Sequence, residues 1–175
     1  MITSDLTAPI EPAGYLFYTD GATSNNGAPD ASGGWAWVLT GARDGSTHQL
    51  ITYCQGHEDS TTNNRCELKA ILSACWFVDQ YQDIYNFLCY NIVTDSAYIV
   101  NCFHDKWYKK WQQNGWRNSK KKPVANRDLW EQLIPYFEKP NFYLSKCNGH
   151  SGNKWNEYAD KLAVNAKTDW GDING

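Results

Sequence analysis

Long apolar runs, paired cysteines and paired histidines are all missing from this 175-residue chain. Its most apolar stretch, Ile71 to Val78, falls well short of the ~20 residues that a membrane span needs. No basic segment followed by an apolar one opens the sequence, so a soluble, non-secreted, cytoplasmic protein is expected. Six cysteines are present, but none forms a C-x-x-C pair and they sit in largely apolar surroundings. That pattern predicts reduced, buried thiols rather than a disulfide framework. The four histidines show no zinc-ligand spacing either. No internal repeat and no low-complexity linker divides the chain.

Aromatic residues, by contrast, are plentiful: 15% of the chain, with nine Trp and eleven Tyr, inside a hydrophobic share of 42%. A chain of this length and composition can bury enough apolar surface to offset the entropy of ordering. One domain is expected over residues 15–167, between an N-terminal arm (1–14) and a polar tail (168–175) that frays. The net charge of −3 argues weakly against a nucleic-acid partner, but its distribution reverses that conclusion. From His104 to Arg127 there are eight basic residues and one acid, a net of +7, which leaves −10 for the remainder. The same stretch holds Trp107, Trp111 and Trp116. A solvated charged helix seldom carries three Trp with so few acids, and lysines among indoles suit a polyanion with flat bases.

Alternation and turn residues predict strands at 15–19, 34–40 and 48–55, with a polar loop from Ser24 to Ser32 between the first two. The period then changes. Leu68, Ile71, Leu72, Cys75 and Trp76 recur at spacings of three and four, which predicts an amphipathic helix over 62–80. A strand at 87–93, a short helix at 96–103, a helix at 126–137, a strand at 141–146 and a helix at 153–167 complete the pattern. Three strands followed by alternating helix and strand imply an α/β fold with a five-stranded mixed sheet and helices on both faces.

Four acids stand at chemically interesting places: Asp20 and Asp95 at strand ends, Glu67 in the first turns of the long helix and Asp160 on the last one. Each has a plain structural role open to it. Asp20-Gly21 reads as a turn, Glu67 could complete a capping box with Asn64, Asp95 could cap the next helix, and Asp160 could be a solvated helix residue. Functional groups nevertheless gather at the carboxyl ends of strands in sheets with helical crossovers, where Asp20 and Asp95 would be neighbours if their strands are parallel.

The contexts of these acids resemble ribonuclease H, type 1. The strings are YTDGATSNNG (18–27), TTNNRCELKA (61–70), TDSAYIVN (94–101), KKPVANRDLW (121–130) and GHSGNKWNEYADKLA (149–163), in the family's order. The resemblance implies the ribonuclease H-like fold and a metal-dependent endonuclease that hydrolyses the RNA strand of RNA/DNA hybrids, leaving 5′-phosphate and 3′-hydroxyl ends. It makes Asp20, Glu67, Asp95 and Asp160 the catalytic carboxylates and ligands of two Mg²⁺, with Mn²⁺ a possible substitute. Hard ions that keep several waters need only a few carboxylates and substrate phosphate oxygens, in keeping with that set.

His150 would assist proton transfer or product departure. Asn26, Thr62, Asn63, Asn64 and Asn156 would contact the substrate. Free amides at the start of the long helix would suit a DNA-strand phosphate, and asparagines would read 2′-hydroxyls in the wide minor groove of the hybrid. The basic stretch (about 104–125) looks like the family's basic protrusion, or handle, with Trp107, Lys109, Lys110, Trp111, Trp116 and Lys122 as its contacts. Ala125 stands where many members have Lys. The expected protein is a monomer whose partner is the hybrid. Another nuclease of the same superfamily, or a non-catalytic hybrid-binding module, is the alternative.

Overall fold

The computed structural model describes residues 14–42, 47–149 and 152–173, apart from the side chains of 168–173. In chain order the elements are β1 (Tyr15–Ser24), β2 (Ser32–Gly41), β3 (Gln49–Asp59), α1 (Asn63–Tyr85), β4 (Tyr90–Thr94), α2 (Ala97–His104), α3 (Trp107–Gln113), α4 (Arg127–Phe137), β5 (Phe142–Lys146) and α5 (Lys154–Ile173). The five strands form one sheet in the order β3-β2-β1-β4-β5. β2 runs antiparallel to both β1 and β3, whereas β1 and β5 run parallel to β4. This is the mixed sheet that the succession of elements implies.

Strand alternation sorts the core into two layers. Phe17, Trp37, Leu39 and Ile92 pack with Leu68, Ile71, Leu72 and Cys75 of α1 on one face. Leu16, Tyr18, Ala36, Val38 and Val93 pack with Ala159, Leu162 and Ala163 of α5 on the other. The small residues of α5 bring that helix close to the sheet. The first layer also continues beneath α2, α3 and α4, where Tyr108, Trp111, Trp116 and Trp130 are all buried. Trp130 is fully enclosed, and burying a Trp removes ~200 Å² from water, worth ~5 kcal/mol at ~25 cal/mol per Å².

Several boundaries differ from the sequence expectation: β3 runs on to Asp59, β4 begins only at Tyr90, and α3 is a helix the sequence pattern does not predict. β1 and β2 extend toward one another until Ser24 pairs with Ser32, so Asp20-Gly21 lies within a strand and is not a turn. α1 passes the expected end at Gln80 through one residue with non-helical angles, Tyr81, and stops where Asn86 takes a left-handed conformation. α5 continues to Ile173 into the stretch expected to fray. Among the described residues no helix is long and apolar enough to cross a membrane.

Candidate active site

Backbone register brings the first two acids together. The last parallel pair of β1 and β4 is Tyr18 with Val93, and Asp20 and Asp95 each lie two residues beyond it. Both carboxylates therefore sit just past the parallel ladder, Asp20 still within β1 and Asp95 directly after β4. Glu67 joins them because β1 and α1 touch closely at Gly21, where an added Cβ would lie 2.7 Å from Cys66 Cβ. Only glycine permits that approach. Ligand oxygens of Asp20, Glu67 and Asp95 all lie within 4.8 Å of one another.

The cluster is buried and crowded. Asp20 and Glu67 are each 8% exposed. Burial, then the Asp95 charge, pushes the Asp20 carboxyl up to about 8, against the pull of the Gly21 amide, with Asp160 and Glu67 adding to the rise. That amide donates to Asp20 Oδ1 at 2.7 Å. Burial likewise lifts Glu67 to about 7, opposed by the Ser96 hydroxyl and reinforced by Asp95. Glu67 Oε1 accepts from Asn63 Nδ2 at 3.1 Å, while its buried Oε2 has no hydrogen-bond partner. Three converging carboxylates with one unpartnered buried oxygen are a hard-oxygen donor set with too few protein donors to satisfy it. Such a set fits a divalent cation such as Mg²⁺.

Asp160 stands on the rim of the cluster. It is half-buried on α5, and its charge reaches Asp20, but its oxygens are outside the group that lies within 4.8 Å. The plain structural roles open to the other acids are not the ones they play. The N-cap of α1 is Thr62, which puts Glu67 too deep in the helix for a capping box. The N-cap of α2 is Ser96 rather than Asp95. His150 lies outside the described residues. Its neighbour Gly149 packs against Asp95, and a Cβ there would come 2.7 Å from Asp95 Oδ2. Gly21, Ser96 and Gly149 were not singled out from the sequence, although a glycine beside a candidate ligand was the available signal.

At the start of α1 the amides are less free than the sequence suggests. Asn63 N–H donates to Asn26 Oδ1 at 2.9 Å, and Arg65 N–H donates to the Thr62 hydroxyl at 3.3 Å. A ligand here would meet the side chains of Thr62, Asn63 and exposed Asn64 more than bare amides. Asn25 is instead bonded to Asp30, so Asn26 is the loop residue that reaches the helix. Asn156 is corrected as a substrate contact: it is 3% exposed and its Oδ1 accepts from Cys147 Sγ at 3.1 Å, which ties α5 to the end of β5.

The handle also departs from expectation. Trp111 and Trp116 are 7% and 8% exposed, and with Trp130 they form an indole cluster, tilted and edge-to-face, at centroid separations of 6.1 Å and 5.4 Å from Trp111. They build the core of the handle rather than a flat platform for bases. Trp107 is half-buried and pairs with Tyr98, ring centroids 5.9 Å apart. Lys109, Lys110 and Lys122 are exposed, and only Lys109 of the three has an ion-pair partner among the described residues, Glu138 at 3.8 Å.

Behind the site, Arg65 forks across three elements, a role not anticipated from the sequence. Its guanidinium donates to Asp128 of α4 at 3.0 and 2.8 Å and to Glu58 of β3 at 3.1 Å. Lys69 shares the Glu58 carboxylate. Nothing local in the sequence marks an arginine whose partner is 63 residues away.

Comparison with known proteins agrees with this arrangement. The RNase H family model matches residues 12–168. A ribonuclease H of Syntrophomonas wolfei is 41% identical, over 86% of this chain and 94% of the relative. LC9-RNase H1, described as a type 1 RNase H with the type 2 active-site motif, superposes with a TM-score of 0.72 at 26% identity, over 93% of this chain and 75% of that one. A foamy viral protease-reverse transcriptase solved with an RNA/DNA hybrid shares the fold at a TM-score of 0.74 and 20% identity, over 97% of this chain and 22% of that one.

Proposed function

The chain belongs to the RNase H family, and we propose on that footing that it is an endonuclease hydrolysing the RNA strand of RNA/DNA hybrids to 5′-phosphate and 3′-hydroxyl ends. The observation that carries this reading is the convergence of Asp20, Glu67 and Asp95 within 4.8 Å just past the parallel β1–β4 ladder. With Asp160 on the rim, these residues would hold two Mg²⁺, or Mn²⁺, whose chemistry is to activate water and to stabilise charge on the leaving oxygen.

The protein's own groups prepare that chemistry. Burial and crowding hold Asp20 and Glu67 above the usual carboxylate range, and as ligands of a cation both would be ionised. Recognition and chemistry are linked through one residue: Asn63 donates its backbone N–H to Asn26 Oδ1 and its carboxamide N–H to Glu67 Oε1. A phosphate or 2′-hydroxyl that moves Asn63 therefore acts on a metal ligand. His150 assists proton transfer or product departure, and His150→Ala should slow turnover while leaving activity. The six cysteines form no disulfide, which suits a reducing compartment, and we place the protein in the cytoplasm as a monomer.

The test is cleavage of a labelled RNA/DNA hybrid and of the matching DNA duplex, with and without Mg²⁺, alongside Asp95→Asn. Hybrid cleavage that requires Mg²⁺ and Asp95 is expected. Cleavage of the DNA duplex instead, or binding without cleavage, would overturn the assignment.

A further inference from the structure

Cys147 follows directly on β5, where the strand ends meet the first turns of α5. Its surroundings are apolar, since Leu16, Val93, Ala159 and Leu162 belong to the same buried cluster. A valine would suit such a place. The thiol instead donates a hydrogen bond from Sγ to Asn156 Oδ1 at 3.1 Å, and the two residues are only 7% and 3% exposed. Burial, with the charges of Asp95 and Asp20, pushes the thiol up to about 12, so it keeps the proton that it donates.

The two ends of this bond lead to different sides of the acid corner. On the strand side, Cys147 N–H donates to Thr94 O at 2.9 Å, next to Asp95, and Gly149 packs against Asp95 itself. On the helix side, Asn156 lies four residues before Asp160, so the two share one side of α5 about a turn apart. The Asn156 amide donates to Asn153 Oδ1 at 3.3 Å, and the Asn153 side chain meets the Tyr18 hydroxyl, two residues before Asp20. The closest packing of α5 on the sheet comes from Ala159 and Ala163. Apolar contact of that kind holds a helix down but has no direction of its own, whereas a hydrogen bond does.

We propose that Cys147 is a positioning residue for the fourth carboxylate: by holding Asn156 it sets the turn of α5 that carries Asp160 against the cluster of Asp20, Glu67 and Asp95. Asp160 stands on the rim, outside the group within 4.8 Å, so a small rotation or slide of α5 decides whether its carboxylate can share a cation with Asp20. Cys147 acts through Asn156 and touches neither substrate nor cation. Groups that orient a metal ligand from behind typically cost ~10–100-fold in metal affinity or activity when removed. The inference takes the cation site from the proposed function, but the role of the thiol is a separate claim.

The experiment compares the full chain with Cys147→Val, which fills the space and lacks the donor, and with Cys147→Ser, which keeps a donor. Two readouts are taken: the Mg²⁺ concentration that gives half of the maximal rise in Tm without nucleic acid, and kcat and KM on a labelled hybrid at saturating Mg²⁺. Cys147→Val should raise the half-saturating Mg²⁺ concentration roughly tenfold and lower kcat to a similar degree, while KM stays that of the unaltered chain. Cys147→Ser should restore both. Unchanged Mg²⁺ binding in Cys147→Val, a loss confined to KM, or a Cys147→Ser protein as impaired as Cys147→Val would overturn the proposal. Should Cys147→Val fail to fold, Cys147→Ala, equally without a donor, is read by the same criteria. If the unaltered chain binds Mg²⁺ but leaves the hybrid intact, the activity is refuted and the Mg²⁺ titration still decides the role of the thiol. If it cleaves and Cys147→Val behaves identically, the positioning role falls alone, and a chain whose Tm ignores Mg²⁺ would refute both.

Discussion

At the acid corner the charged groups are buried and the surroundings hold them against their mutual repulsion. At the handle the indoles are buried and the charges stand in water. The corner is located by backbone: the β1–β4 register and the close approach at Gly21 fix where Asp20, Glu67 and Asp95 meet. The handle is located by side chains, since Trp111, Trp116 and Trp130 form the core that carries an exposed lysine-rich surface. The first region sacrifices stability for a cation site, whereas the second gains stability from its aromatics and leaves its lysines free. Substitutions should therefore have opposite signatures in the two places.

The largest expected effect is at the corner. Asp20→Asn should lower hybrid cleavage by ~10³-fold or more, because several kcal/mol of metal-derived stabilisation go with the ligand. The same change removes a charge from a crowded site, so the metal-free Tm at pH 9 should rise by roughly 2–4 °C for each kcal/mol of relief. A variant that loses both activity and metal-free stability would contradict the contrast. Next in size, Trp130→Ala should cost ~3–5 kcal/mol in urea unfolding, a loss that no acid-corner substitution should match.

A smaller effect is the pH dependence of the metal-free protein. The folded carboxyls of Asp20 and Glu67 are raised to about 8 and about 7, above the ~4 of an unfolded carboxyl. Folding therefore takes up protons between those limits. The contribution is fully present below pH ~4 and is lost as pH rises through 7 and 8. Metal-free Tm should fall from pH 5 to pH 9, and the gain from saturating Mg²⁺ should widen over the same window. A gain independent of pH would count against the assignment of these carboxylates as ligands. The smallest effect belongs to the handle surface: Lys120→Ala should reduce the salt slope of hybrid binding by ~1 and barely change kcat.

The sheet was legible because alternation and helical period are local, and Asp20, Glu67 and Asp95 could be singled out because recognisable strings surround them. The Asp20-Gly21 dipeptide left a turn open, because the antiparallel pairing of Asp20 with Ala36 that excludes it depends on a partner strand. Trp111 and Trp116 misled for a related reason. Three tryptophans among lysines show that a surface has both characters, but a seven-residue helix does not reveal which side meets the core. Arg65 and Tyr98 carried no warning at all, because their importance lies in Asp128, Glu58 and Trp107, which folding brings to them.

The shared offset of Asp20 and Asp95 beyond the Tyr18–Val93 pair makes spacing, rather than residue identity, the quantity under tightest control. Deleting one residue between Tyr90 and Asp95 would leave a strand of the same character able to pair, yet the ladder would shift by ~3.3 Å and turn every later side chain to the opposite face. The site would be lost, and because β4 is buried on both faces the core would have to repack as well. Lengthening of the connection between β2 and β3 would leave the site alone, so natural or engineered insertions should accumulate there and be absent from β1 and β4.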